Sequence, residues 1–168
     1  MVLWLIGMMG SGKTTVGERV ADELALSFID TDLLVVSVSA RSIPDLWEAE
    51  GEEAFRALER QVISSAADAG PAVVATGGGA VLDRTNTDLM RSSGLVVWLS
   101  AAATTLEERI GRGGGRPLLD GGPSGSRLTS LLEERKGHYV AAAHTEVPTD
   151  GRSVASVAKE VVELWHAS

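Results

Sequence analysis

The chain has 168 residues, enough for one well-buried domain and short for two. It is 44% hydrophobic and 23% charged, ordinary for a globular protein, and its net charge of −8 argues against nucleic acid or an anionic membrane as a partner. It has no cysteine, which excludes disulfides and thiol chemistry; with no basic leader and no apolar run near the ~20 residues of a membrane span, a cytoplasmic protein is the expectation.

Residues 2–6 form the first apolar run, a strand, and 13–26 place Val16, Val20 and Leu24 at helical spacing. A short strand ends in SFID (27–30). Helices are expected over 32–39 and 43–49, with Pro44 suited to a first turn, and an amphipathic helix over 52–68 carries Phe55, Leu58, Val62 and Ile63. AVVAT (72–76) reads as a buried strand running into Gly77, Gly78 and Gly79. A helix near 84–92, the strand LVVWL (95–99) and a helix near 103–110 follow. The stretch GRGGGRPLLDGGPSGS (111–126) is too glycine-rich for regular structure, and is either a functional lid or a surface loop. A helix over about 127–141, a strand near 145–149 and a helix near 153–166 complete the chain. Strands alternating with helices predict a parallel sheet covered on both faces, with no repeat and no linker between cores. One domain over 1–168 is expected.

Between the first strand and the first helix stands GMMGSGKTT (7–15). Gly7-x-x-x-x-Gly12-Lys13-Thr14 is the phosphate-loop pattern: glycines let backbone N–H groups turn inward toward phosphate oxygens, and the following helix adds the positive end of its dipole. Gly10, Ser11, Gly12, Lys13, Thr14 and Thr15 are the expected nucleotide-binding positions. Lys13 reaches the β- and γ-phosphates and the Thr14 hydroxyl serves Mg²⁺. A GTPase would carry a base-selecting N-K-x-D sequence, which is absent, and motors need more chain. That leaves the identity of the phosphoryl acceptor.

FIDTD places Asp30 and Asp32 two apart at a strand end, where both carboxylates can share one side. They can serve an Mg²⁺ shell and an incoming hydroxyl; alternatively Asp32 is the N-cap of the next helix. Arg56 and Glu59 stand three apart on a helix and can pair, though such pairs are usually solvent-exposed. Arg116 and Arg135, taken singly, read as surface charges. Trp4, Trp98 and Trp165 read as packing residues, and His138, His144 and His166 share no face that suggests a metal.

Together GMMGSGKTTVG, FIDTD, IPDLWEAEGEEAFRALE, GGGAV, RPLL and ER…Y resemble the shikimate kinase family, in order and at compatible spacing over nearly the whole chain. The resemblance implies a P-loop NTPase-type three-layer α/β/α sandwich with a five-stranded parallel sheet and a mobile lid at about 112–122. It implies a monomer with ATP as co-substrate and Mg²⁺ as cofactor, phosphorylating the 3-hydroxyl of shikimate on the route to chorismate. By the same motifs Lys13, Asp32 and Arg116 are catalytic, with Asp32 contacting the acceptor hydroxyls and Asp30 supporting Mg²⁺ beside Thr14. Arg56 and Arg135 grip the shikimate carboxylate, Glu59 orients Arg56, and Gly77, Gly78, Gly79 and Trp47 line the pocket. Arg109 and Arg152 match positions near the adenine.

Two departures stand out. After Arg135 the chain reads Lys136-Gly137-His138-Tyr139 where the family has a proline-leucine-tyrosine run, which puts the wall behind Arg135 in question. Pro148-Thr149 replaces an Asp-Thr pair beside Arg152. The rival readings are another small-metabolite kinase, such as a gluconate kinase, and a nucleotide-binding regulator without catalysis. The first lacks its Asp-Gly-Asp and histidine signature here; the second predicts erosion of Asp32, Arg56, Arg116 and Arg135, all of which are present.

Overall fold

A computed structural model describes residues 1–111 and 125–168. Five strands, β1 (Val2–Ile6), β2 (Ser27–Asp30), β3 (Ala72–Ala75), β4 (Gly94–Ser100) and β5 (Thr145–Pro148), form one parallel sheet in the order β2-β3-β1-β4-β5. Registry is continuous across the middle, with Trp4 level with Val74 on one side and Val96 on the other. The helices are α1 (Lys13–Leu24), α2 (Thr31–Ser39), α3 (Ile43–Asp68), α4 (Arg84–Ser93), α5 (Ala103–Gly111), α6 (Gly125–Ala142) and α7 (Val154–His166), with a 3₁₀ turn at Ala80–Leu82.

The period-two pleat divides β1 between two cores. Leu3 and Leu5 join Val16 and Val20 of α1 and Val157 and Val161 of α7 on one face. Trp4 and Ile6 join Ile63 of α3, Met90 of α4 and Tyr139 of α6 on the other. Both faces are therefore covered, which is why β1, β3 and most of β4 are apolar throughout rather than alternating. Trp4 and Trp98 are buried packing residues, as expected, and Trp165 packs partly buried beside α7's core. A smaller cluster of Val35, Leu46, Phe55 and Val62 joins α2 to α3 beyond the sheet edge.

The helices expected at 43–49 and 52–68 are both present, as the two arms of α3 on either side of Gly51, whose φ of 83° and ψ of 175° interrupt the helical backbone. One local expectation is corrected. The α2 N-cap is Asp30, not Asp32: Thr31 already begins the helix, and Asp30 Oδ1 accepts from the N–H groups of Asp32 and Leu33. The lid expected at 112–122, with Arg116, lies outside the described residues.

Candidate active site

The strand order places β3 and β4 on opposite sides of β1, so the chain diverges at the carboxyl end of β1, the position where open α/β sheets bind ligands. The phosphate loop occupies it. Gly7, Gly10 and Gly12 have φ of 144°, 80° and 96°, values that side-chain-bearing residues rarely adopt. A Cβ on Gly7 would also collide with the Leu99 carbonyl. The spacing of these glycines in the sequence is thus the spacing of the turns that bring the loop back onto α1.

Lys13 is buried and its Nζ donates to the Gly7 and Met8 carbonyls at 2.8 and 2.9 Å, which holds its charge within the loop. Thr14 Oγ1 donates to Asp30 Oδ2 at 2.8 Å. Asp30 therefore works at both oxygens: one caps α2 and the other meets Thr14. This pairs a hydroxyl with a carboxylate, hard oxygen donors of the type Mg²⁺ accepts. The Ser11 hydroxyl is buried with no hydrogen-bond partner among the described residues, a donor left for a ligand of the loop.

A cavity of about 410 Å³ runs from the loop past Arg109, Thr149 and Arg152. Arg109 donates to Gly10 O at 3.3 Å, Thr149 Oγ1 at 3.0 Å and Thr149 O at 2.8 Å, tying the loop to the turn after β5. Arg152 donates to Pro148 O and Ser156 O, each at 3.1 Å, and pairs with Glu160 at 2.7 Å. The Pro148 departure is thereby accounted for on the protein side: the contact uses a backbone carbonyl, which proline supplies as well as aspartate does.

On the other side of the loop, the backbone of Gly77–Gly79 forms a corner against which charged side chains pack. A Cβ on Gly77 would stand 2.7 Å from Asp32 Oδ1 and 3.0 Å from Glu59 Oε1. One on Gly79 would stand 2.7 and 2.8 Å from the two terminal nitrogens of Arg56. At Gly78 the neighbours are Gly7 O and Met9 N of the phosphate loop at 3.5 Å and Arg135 Nη1 at 3.8 Å. Glycine is required here for close approach, since Gly79 itself has an ordinary φ of −97°. Asp32, Arg56 and Arg135, scattered over more than a hundred positions, are brought to three consecutive residues beside the phosphate loop.

Arg56 donates from Nη1 to Glu59 Oε2 at 2.8 Å. Glu59 is 2% exposed, so this is no surface pair. Burial raises the Glu59 pKa, and the Arg56 hydrogen bond and charge act against that rise. The guanidinium also lies 5.2 Å from the Phe55 ring centroid and 5.8 Å from that of Trp47, which fixes its plane. Arg135 is 7% exposed, and its Nε has no hydrogen-bond partner among the described residues. Two fixed guanidinium groups beside a carboxylate suit a small anionic acceptor bearing hydroxyls.

Gly137 leaves this wall intact. α6 runs through it without a break, its Cα faces solvent, and Arg135 and Tyr139 point inward. Two residues of the corner stand in the FIDTD and ER…Y motifs with no role readable from the sequence. Thr31 Oγ1 accepts from the Gly77 N–H at 3.0 Å, and Tyr139 Oη donates to Gly78 O at 2.6 Å. Both partners are backbone atoms, which spacing does not reveal.

The phosphate loop at the sheet's divergence point and the charged corner beside it define a P-loop phosphotransferase that acts on a small molecule. A family model described as shikimate kinase matches residues 9–165. A curated shikimate kinase of Symbiobacterium thermophilum is 45% identical, covering 97% of this chain and 95% of its own length. One of Moorella thermoacetica is 43% identical over 97% and 93%. The solved shikimate kinase of Acinetobacter baumannii in complex with shikimate superposes with a TM-score of 0.93 at 32% identity, covering 99% of this chain and 93% of that one. A gluconokinase of Sinorhizobium meliloti gives a TM-score of 0.61 at 20% identity, covering 99% of this chain and 94% of its own, a likeness of fold alone. The chain belongs to the shikimate kinase family.

Proposed function

We propose that the protein transfers the γ-phosphoryl group of ATP to the 3-hydroxyl of shikimate. The observation that carries this reading is the convergence of Asp32, Arg56 and Arg135 on Gly77–Gly79, within contact of the phosphate loop. The acceptor carboxylate is held by Arg56 and Arg135, with Glu59 orienting Arg56 and Trp47 bordering the ring. That grip turns the opposite edge of the ring, with its hydroxyls, toward Asp32 and the loop. The hydroxyl oxygen bonds to the γ-phosphorus as the bridging bond to the β-phosphate breaks; ADP leaves, and the hydroxyl proton passes to Asp32. Phosphoryl transfer needs positioning and charge neutralisation more than a strong base, and Lys13 supplies positive charge at the phosphates. Thr14 and Asp30 are the residues that would hold Mg²⁺, which offsets phosphate charge when bound. Arg109 and Arg152 flank the adenine end of the cavity, and by the family resemblance Arg116, outside the described residues, would serve the transferring group.

The resemblance supports one catalytic domain over 1–168, working as a cytoplasmic monomer; among the described residues no helix is long and apolar enough to cross a membrane. A coupled ADP-release assay with shikimate, quinate and gluconate tests the acceptor. Turnover confined to shikimate is expected. Equal rates on gluconate would reject the assignment.

A further inference from the structure

The Gly77–Gly79 corner has no side chains of its own to fix it, and glycine backbone is the most easily reoriented of all. The following 3₁₀ turn donates to it from the Ala80 N–H to Gly77 O and from the Leu82 N–H to Gly79 O, and two side chains from distant elements complete its hydrogen bonding. At its start, the Gly77 N–H donates to the buried Thr31 hydroxyl, on the first turn of the helix that also carries Asp32. At its middle, the Gly78 carbonyl accepts from Tyr139, one turn after Arg135 on α6. The Tyr139 ring is fully buried and stacks on Trp98 of β4, with centroids 5.7 Å apart and planes 15° apart, so the sheet core sets where the hydroxyl stands. No peptide among the described residues is cis, so the Gly79 N–H points opposite the Gly78 carbonyl. A carbonyl drawn toward α6 therefore turns that N–H away from α6.

We propose that Tyr139, acting with Thr31, is a positioning residue for the acceptor: its hydroxyl fixes the glycine corner against which Asp32, Arg56 and Arg135 are registered. The inference rests on the shikimate reading above. Burial pushes the Tyr139 pKa up to about 12, against the charge and side-chain hydrogen bond of Arg135, so the hydroxyl remains a donor at working pH and also links the corner to Arg135. A buried tyrosine needs some partner; this one takes the acceptor-side backbone, although the chain runs 61 residues between them.

The test is Tyr139→Phe, which keeps the ring and its stack on Trp98. Titration calorimetry should show shikimate bound about five- to ten-fold more weakly, with an ATP analogue within about two-fold of wild type. The shikimate KM should rise more than kcat falls. Thr31→Val should act in the same direction, and Thr31→Ser, which keeps the hydroxyl, should restore shikimate affinity. A lowered Tm with shikimate affinity unchanged would make both hydroxyls fold-stabilising only and overturn the proposal. The amide NMR signals of Gly77–Gly79 give a ligand-free readout: displacement in Tyr139→Phe supports the proposal, and unmoved signals overturn it. If wild type itself bound no shikimate, the functional reading would fail, and the amide signals would still decide the role of Tyr139.

Discussion

Gly79→Ala would displace Arg56 without altering its chemistry. Gly79 has φ −97° and ψ −4°, a conformation alanine adopts without strain. The added Cβ would stand 2.7 and 2.8 Å from the terminal nitrogens of Arg56 and 3.2 Å from its Cζ. Restoring ordinary contact distances requires the guanidinium to withdraw by about 1 Å. Being the end of a flexible side chain, it can do so while the fold persists. Withdrawal breaks the 2.8 Å hydrogen bond to Glu59 and the alignment with Trp47 and Phe55. A charge-assisted hydrogen bond contributes about 1.5–3 kcal/mol, so an acceptor complex that loses one should weaken by about ten- to a hundred-fold. Titration calorimetry with shikimate and, separately, an ATP analogue reads this out, with nucleotide affinity staying within about two-fold. In an Arg56→Ala background the same alanine should add almost nothing, because its effect passes through Arg56. Unchanged shikimate affinity in a folded Gly79→Ala protein would refute the reasoning, as would full additivity with Arg56→Ala.

Asp32→Asn should lower turnover by at least about 100-fold while an ATP analogue still binds, since the side chain packs on the acceptor-side Gly77; near-normal kcat would remove Asp32 from the proton's path. A Cβ on Gly137 meets nothing within 4 Å, so Gly137→Ala should stabilise by about 1 kcal/mol and raise Tm by about 2–4 °C, leaving shikimate affinity unchanged. A shikimate affinity that changed would mean that α6 does bend there. Burial tends to raise the Asp83 pKa, but hydrogen bonds from Arg60 and Thr85 outweigh it and hold the group below the usual 3.8. The folded state thus binds that proton less tightly than the unfolded one. Asp83 contributes stability above pH 3.8 and loses it as pH falls through its lowered pKa. Asp83→Ala, which removes the α4 cap, should destabilise by about 1 kcal/mol near neutral pH, and denaturant titrations should show the difference narrowing in acid. A pH-independent difference would contradict it.

The sheet and the phosphate loop were legible in the sequence because their requirements fall on consecutive residues. Apolar runs long enough only for strands, and glycines at positive-φ positions, both leave local patterns. The cap of α2 was misread for a related reason: Asp30 and Asp32 are both good N-cap residues, and only the helix start at Thr31 decides between them. The break at Gly51 was legible for the same reason as the loop: it separates two periodic segments, and a glycine at positive φ stands between them. Arg56 and Glu59 form an i,i+3 pair in any reading; that Glu59 is buried, with Oε1 against the Gly77 backbone, is a tertiary contact that no spacing encodes. The roles of Thr31 and Tyr139 are not legible in their motifs because their partners are a backbone N–H and a backbone carbonyl far along the chain.

The central claim is the acceptor and the position of transfer. Incubating the protein with ATP, Mg²⁺ and shikimate and examining the product by ³¹P and ¹H NMR tests both at once. The account predicts one phosphomonoester whose phosphorus couples to the proton on carbon 3, formed in step with ADP. Phosphate on another ring hydroxyl, or ADP released with shikimate unmodified, would contradict it.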